Sequence, residues 1–190
     1  TRIDDVLLLV RICVTSRENP IAERISETTN SQAPVTSRDL HANDLIQRRL
    51  QEEFLSLGYY YEAKAKQHAD RPTDERLNNE LLGQLYMAFY LGMPSEAKNK
   101  KSLVFGENYA SIFDENTATA RRMLLPFRIY QPLQRMKKEI QRKKRRREPV
   151  DETEAFVSRA TFHVVYAVGL IAEAETLDLS CESVLEGARE

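Results

Sequence analysis

One apolar helical stripe, followed directly by a strand signal, constrains the fold of this chain more than any other feature. Four apolar residues recur at spacings of four, four and three: Ile46, Leu50, Phe54 and Leu57. That period predicts an amphipathic helix with one buried face. Gly58 stands where a glycine commonly ends a helix, and the three tyrosines of residues 59–62 predict a short strand.

The start of this helix carries a capping signal. Asn43 or Asp44 can accept hydrogen bonds from the first turn, and Asp44 with Gln47 has the spacing of a capping box. Asn43 and Asp44 are therefore interpreted as helix caps rather than as ligands.

The residues before this helix predict a buried strand, a short helix and a polar loop. Residues 6–14 (VLLLVRICV) are apolar and β-branched, which favours a strand covered on both faces. Asn19-Pro20 predicts the start of a helix, which leads into the loop Thr29, Asn30, Ser31 and Gln32. The amide side chains of Asn30 and Gln32 can contact a base edge or a phosphate, or they can close the loop by bonding to backbone. Both interpretations stay open.

Helical patterns dominate beyond residue 70. Thr73 predicts the cap of a helix whose apolar face consists of Leu77, Leu81, Leu85 and Phe89. Gly92 and Pro94 end that helix, and Pro94 opens a short one. Further core residues are expected around a turn at Gly106: Leu103, Phe105, Tyr109, Ile112 and Phe113.

The last third of the chain predicts two longer helices. One begins near Thr117, where Pro126 and Pro132 are expected to kink or split it, and Pro149 ends it. Asp151 and Glu154 form a second capping-box pair. The final amphipathic helix has its apolar face at Val157, Thr161, Val164, Val168 and Ile171.

These patterns predict an α+β fold that is predominantly α-helical, with a small sheet in the N-terminal third. Residues 1–70 form the α+β segment and residues 71–190 the helical segment, together one compact unit. Apolar residues make up 42% and charged residues 30% of the 190 residues, which excludes disorder by composition.

A local excess of positive charge is hidden in a nearly neutral chain. Nine basic residues and one acidic residue lie between Arg135 and Arg147, whereas the remaining residues are 19 basic and 28 acidic. Five cations are consecutive: Lys143, Lys144, Arg145, Arg146 and Arg147. They predict contacts with the phosphates of DNA or RNA. A solvated helix end, or a tether to the acidic remainder of the chain, is an equal alternative.

Glu62-Ala63-Lys64 is similar to the Glu-x-Lys half of metal-dependent nucleases, with Asp39 or Asp44 as the acid such a site also needs. The signal is weak, because Glu-Ala-Lys recurs at residues 96–98 on a predicted helix. Glu62 and Lys64 are therefore expected not to be a metal site.

The remaining motifs give no support for a metal or a cofactor, and none is expected. His41, His68 and His163 lack partners at ligand spacing, and His163 is interpreted as a satisfied core histidine. Cys13 and Cys181 form no zinc or disulfide pattern, which favours a reducing cytoplasm. No signal peptide or spanning segment is evident, so no membrane partner is expected.

The segment TTNSQAPVTSRDLHANDLIQRRLQEEFLSLGYYYEAK resembles the core signature of the abortive infection phage resistance (AIPR) family. The resemblance continues at residues 94–98, at Phe105 and at residues 109–113, and it covers roughly residues 6–115. Family members have further sequence before this point, so the chain is expected to be an internal piece of a longer protein.

The resemblance implies a cytoplasmic bacterial protein of anti-phage defence, whose infected host stops growing before the phage multiplies. Two hypotheses about its biochemistry stay open. The first is an effector that cleaves or blocks nucleic acid. The second is a non-enzymatic module that senses a phage component or binds a partner protein.

Overall fold

The computed structural model describes residues 36–174. Contacts divide the chain into Thr1–Val35 and Thr36–Glu190, and the described residues belong to the second unit. The strand predicted at residues 6–14 and the helix predicted after Asn19-Pro20 lie outside the described residues.

The described residues form eight α-helices, one 3₁₀ helix and two short strands. In chain order these are α1 (Ser37–His41), α2 (Leu45–Ser56), β1 (Tyr60–Glu62), β2 (Arg76–Asn78), α3 (Asn79–Tyr90), α4 (Pro94–Asn99), the 3₁₀ helix (Lys101–Phe105), α5 (Tyr109–Ile112), α6 (Ala120–Arg145), α7 (Glu152–Arg159) and α8 (Thr161–Ala174). The predicted fold class, a predominantly α-helical α+β protein with a small sheet, is confirmed.

Helix α2 and strand β1 follow the prediction closely. Ile46, Leu50 and Phe54 are buried and Leu57 packs against them. Gly58 has a φ of 81°, and two hydrogen bonds close the helix end: Gly58 N–H to the Leu55 carbonyl and Tyr59 N–H to the Phe54 carbonyl. This is a Schellman motif, which a glycine at C′ favours because the conformation is strained for other residues.

The second strand was not predicted, and the expected cap at Thr73 is wrong. Asn78 caps α3 instead, because its side chain accepts hydrogen bonds from the backbone of Glu80 (2.8 Å) and Leu81 (3.3 Å). Leu77 is therefore in β2, where it lies opposite Tyr61 in a parallel pair. Strand β1 precedes residue 70 and strand β2 follows it, so their pairing connects the two expected segments. The two-segment organisation of the whole chain stays a prediction.

Helix α3 is the centre of the core. It is buried on nearly all sides, and α4, α6, α8 and the 3₁₀ helix pack around it. Gly83 allows a close approach, because a Cβ atom there would collide with a methyl group of Val104. The core residues expected around Gly106 are confirmed: Val104, Phe105, Ile112 and Phe113 are buried, and Leu103 and Tyr109 pack against them.

Pro126 and Pro132 were expected to kink or split helix α6, and the split is wrong, because the helix runs without a break through both prolines. Pro126 has no N–H to donate to the carbonyl of Arg122, four residues earlier. The Tyr90 hydroxyl donates to that carbonyl instead, at 3.0 Å. Thr119 caps the helix by accepting from Arg122 N–H, two residues after the predicted start.

The final helix predicted from residue 157 to residue 171 is two helices. Helices α7 and α8 break at Ala160 and are bent by 91°. The bend separates two packing surfaces, because α7 packs against α6 whereas α8 packs against α3, α4 and α6. The Asp151 carboxylate does cap α7, accepting from Glu154 N–H at 2.7 Å. The Glu154 side chain bonds to Lys143 instead of completing the box.

Within residues 36–174, no single helix has the length and apolar character needed to cross a membrane. The bent pair Glu152–Arg159 and Thr161–Glu173 meets those two criteria only when its helices are taken together.

Candidate functional site

The polar loop of the family signature, Thr29, Asn30, Ser31 and Gln32, lies outside the described residues. Asn43 is described and exposed. Asp44 occupies the N-cap position of α2, but its side chain makes no capping hydrogen bond. The capping box predicted for Asp44 and Gln47 is therefore wrong, because both side chains bond elsewhere.

The Asp44 carboxylate joins α1 to α5. One oxygen, Oδ2, accepts from the Tyr109 hydroxyl at 2.7 Å and lies 2.7 Å from His41 Nδ1. The His41 and Tyr109 rings stack with their centroids 3.7 Å apart. His41 was expected to lack a partner at ligand spacing, and its two partners in the fold are the Asp44 carboxylate and the Tyr109 ring.

Hydrogen bonding and burial change the pKa values in this cluster. The bonds from Tyr109 and then from His41 lower the pKa of Asp44, because they stabilise its charged form. Burial, and then the bond to the Asp44 carboxylate, raises the pKa of Tyr109. Asp44 is thus held as a carboxylate and Tyr109 as a neutral donor. Their hydrogen bond therefore has a structural role, and we call it the Asp44 tie.

A buried polar network lies beneath this cluster. Gln47 Oε1 accepts from the Tyr61 hydroxyl at 2.7 Å and from Asn79 Nδ2 at 3.1 Å, and Asn79 also donates to the Ala63 carbonyl. These three side chains come from α2, β1 and α3 and are fully buried. The network therefore fixes the position of the sheet against two helices.

Glu62 is engaged in the fold and Lys64 is exposed. Glu62 is buried, and its carboxylate accepts from His68 N–H at 3.3 Å and pairs with Arg76 at 3.7 Å. Its backbone carbonyl accepts from Arg38. Asp39, the suggested upstream acid, caps α1 together with Thr36. Within the described part of the chain, no three His, Cys, Asp or Glu side chains lie together in a way that could hold a metal ion.

His163 is exposed and lies 3.2 Å from the Ser95 hydroxyl. The prediction of a core histidine is wrong, because the bend at Ala160 turns α8 so that its neighbour Phe162 faces the core instead.

The second half of α6 carries positive charge along one exposed side. Four basic residues recur at spacings of three, four and three, and all are exposed: Arg135, Lys138, Arg142 and Arg145. Each lies roughly 140–160° around the helix from Ile140, at 100° per residue, and Ile140 is the one buried residue of this half. We name these four residues the cationic face.

The five consecutive cations at the end of α6 do not act alike. Lys143 pairs with Glu154, which raises its pKa, and Arg146 lies 3.8 Å from Glu148. Lys144, Arg145 and Arg147 are exposed. Among residues 36–174, no carboxylate lies within 4 Å of these three or of the other members of the cationic face, so much of the charge has no partner there.

A polar cleft of about 530 Å³ adjoins the cationic face at Arg135. Its walls also contain Arg128, Gln131 and Tyr59, together with the acidic residues Asp74 and Glu75. The guanidinium of Arg128 lies 5.4 Å from the Tyr59 ring centroid and donates to the Tyr59 hydroxyl. No sequence pattern predicted this cleft, because its residues come from three separate segments.

Comparison with known proteins identifies the class. The family described as AIPR protein matches residues 1–187, nearly the whole chain. The chain therefore belongs to the AIPR protein family, and its resemblance to abortive infection phage resistance proteins is supported. No curated protein matches the chain, and no solved structure does.

Proposed function

We propose that this AIPR protein acts in anti-phage defence by binding nucleic acid through the cationic face of α6, in the bacterial cytoplasm. The single observation that supports this most is the row of four exposed cations with no carboxylate partner among residues 36–174. Arg135 to Arg145 spans ten residues, roughly 15 Å along the helix axis at 1.5 Å per residue. Such a row can contact several successive phosphates.

The expected binding has no sequence preference. Lysine and arginine contacts to phosphate position a protein on nucleic acid but carry no sequence information. The cationic face consists only of lysine and arginine, so its expected contacts are to phosphates. Cleavage is not part of the proposal, because the Glu62 carboxylate is already bonded to Arg76 and His68.

A protein-interaction module is the second candidate. Leu40 and Leu45 are 70% and 74% exposed and lie close together in the chain. Exposed apolar side chains of this size, when adjacent, commonly mark a contact with another protein. A phage or host protein would be the partner in that case, and loss of the cationic face would leave its binding unchanged.

The test compares two triple variants with the same loss of charge. The first, Lys138→Gln with Arg142→Gln and Arg145→Gln, removes most of the cationic face. The second, Arg48→Gln with Lys66→Gln and Lys100→Gln, removes three exposed cations elsewhere. Binding to labelled DNA and RNA is measured from low to moderate salt.

The unaltered chain should bind both polymers, with affinity falling steeply as salt rises. Removing three phosphate contacts should reduce the log–log salt slope by about 2–3, since each contact contributes roughly 0.9 on duplex DNA and 0.7 on single strands. The control variant should keep most of the slope. Equal losses in both variants, or no binding at low salt, would refute the proposal.

A phage plating assay with the whole gene connects binding to defence. The Lys138, Arg142 and Arg145 variant should lose protection while the control keeps it. Protection that survives loss of the cationic face would favour the protein-interaction candidate.

A further inference from the structure

A second depression, mostly aromatic, shares Tyr59 with the polar cleft. Its volume is about 290 Å³, and its lining is mostly apolar and aromatic. We name it the aromatic groove; it is lined by Gln51, Glu52, Leu55, Tyr59, Tyr60, Tyr61, Gln67 and His68. Leu55 is 59% exposed there, and Tyr59, Tyr60 and His68 are half-buried, so these rings present area to solvent.

Tyr59 connects the aromatic groove to the polar cleft. It lines the aromatic groove and also the polar cleft that contains Arg128, Gln131 and Arg135. Arg135 is in turn the first residue of the cationic face. The aromatic groove, the polar cleft and the cationic face therefore adjoin one another through Tyr59 and Arg135.

Tyr60 is surrounded by groups that favour a flat ligand. Its ring centroid lies 5.4 Å from that of His68 and 4.7 Å from the guanidinium carbon of Arg71. The Arg71 side chain is half-exposed, so it can move aside or stack on an added ring. Aromatic rings and an arginine plane together are the usual platform for unpaired bases.

From this arrangement we infer that this chain binds single-stranded nucleic acid in preference to duplex, with bases stacked in the aromatic groove and phosphates along the cationic face. The inference rests on the proposed function and deepens it. A duplex keeps its base faces covered inside the helix, so only a single strand can use both parts of the surface. Glu52, Asp74 and Glu75 also line the groove and the cleft, where their carboxylates repel phosphate but can accept hydrogen bonds from base amino groups.

The chain contains no tryptophan, which makes a direct optical test possible. Tyr60→Trp places a single fluorophore in the aromatic groove and keeps a stacking ring there. Leu45→Trp is the matched control. Leu45 is exposed on the same helix as Leu55, and the two residues are roughly 15 Å apart along the helix axis. Oligothymidylate, oligouridylate and a DNA duplex of equal length are the probes.

Both single-stranded probes should quench the fluorescence of Tyr60→Trp and leave that of Leu45→Trp nearly unchanged. The duplex should bind through the cationic face but quench neither. Quenching by only one single-stranded probe would identify DNA or RNA as the form preferred. Equal quenching by the duplex, or no quenching by a bound single strand, would overturn the inference.

An affinity measurement separates this inference from the proposed function. Tyr59→Leu with Tyr60→Leu should weaken single-strand binding at least tenfold, the size expected for losing one stacked base, and leave duplex binding unchanged. If the double variant binds both the single strand and the duplex as the unaltered chain does, base stacking is refuted, whereas the proposed binding through the cationic face still holds. Absence of binding to all three probes would refute both. If the double variant does not fold, the quenching of Tyr60→Trp decides.

Discussion

The two halves of α6 are built for different purposes. Residues 120–133 pack into the core, with Met123, Leu124 and Leu125 buried. Residues 134–145 bury a single side chain, Ile140, and carry the cationic face. The same helix therefore continues from a region held by apolar contacts into one whose side chains are mostly in water.

The difference teaches that folding does not explain the second half. Like charges three and four residues apart repel on a helix surface, and only Arg142 and Arg145, in the last turn, also gain from the helix dipole. Helix α7 packs against α6, and the Lys143–Glu154 pair joins the two helices. The proposed binding to nucleic acid would account for the row of cations, because phosphates are a partner of opposite charge.

The largest expected effect is in the packed half. Leu124→Ala should lower the free energy of unfolding by about 2–5 kcal/mol, because a fully buried leucine leaves a cavity among core residues. Ile140→Ala is the matched change in the other half, since both side chains are 1% exposed. Chemical denaturation monitored by circular dichroism measures both.

Ile140 lies outside the main core cluster, so its loss should chiefly release α7. Hydrogen exchange should then speed up in residues 140–159 while α3 stays protected. If Ile140→Ala instead speeds exchange in α3 as much as Leu124→Ala does, the two halves are one cooperative unit and the comparison fails.

The next largest effect is expected in the buried polar network. Gln47→Ala removes the acceptor of the Tyr61 hydroxyl and of one Asn79 bond. Leaving a buried donor unsatisfied costs about 1–3 kcal/mol, and a cavity adds to that. Thermal unfolding should show a clear decrease in the melting temperature.

Gln51→Ala, one turn further along α2, is the control, because Gln51 is only half-buried at the edge of the aromatic groove. A smaller decrease for Gln47→Ala than for Gln51→Ala would mean that the network contributes little to holding the sheet.

Local periodicity predicted the packed body well. The stripe of α2, the glycine after it, the tyrosine strand and the core residues near Gly106 were all visible in short windows, because their burial repeats with the helical or strand period. The helix of Leu81 and Leu85 was found, but its start was not, because Leu77 fits both a helical stripe and a strand opposite Tyr61.

Features built from distant residues could not be predicted. His41 and Asp44 are three residues apart, but Tyr109, which completes their cluster, lies on α5. The same holds for Tyr90, whose hydroxyl compensates for Pro126, and for Arg128 beside Tyr59. The bend at Ala160 follows from packing against two surfaces, which no local pattern contains. Basic residues were visible as a run, whereas their alignment on one side depends on α6 staying intact.

A smaller effect on stability is expected when the Asp44 tie is lost at low pH. Its pKa is lowered in the folded state, so its contribution is present above the unfolded value, about 3.9 for aspartate, and is lost as pH falls through the folded value. Asp44→Asn should therefore flatten the decrease of the melting temperature below about pH 4. Asp74→Asn, an exposed aspartate with no partner among the described side chains, should keep the original slope. If the melting temperatures of Asp44→Asn and of the unaltered chain fall in parallel as the pH falls, the Asp44 tie does not stabilise the fold.

The smallest effect on stability is expected at the cationic face, and its sign decides the comparison. Arg135→Gln with Lys138→Gln removes a repulsive pair three residues apart that lies outside the last turn of α6, where the helix dipole would favour a cation. That should raise the free energy of unfolding by a few tenths of a kcal/mol, the usual size for such a pair. Low salt should enlarge the gain and high salt should abolish it, because exposed charges are screened. Arg48→Gln with Lys100→Gln removes two exposed cations that share no helix, so it should show no comparable gain. If the first variant is less stable than the unaltered chain at low salt, the cations are bonded within the fold, and α6 has one purpose along its whole length.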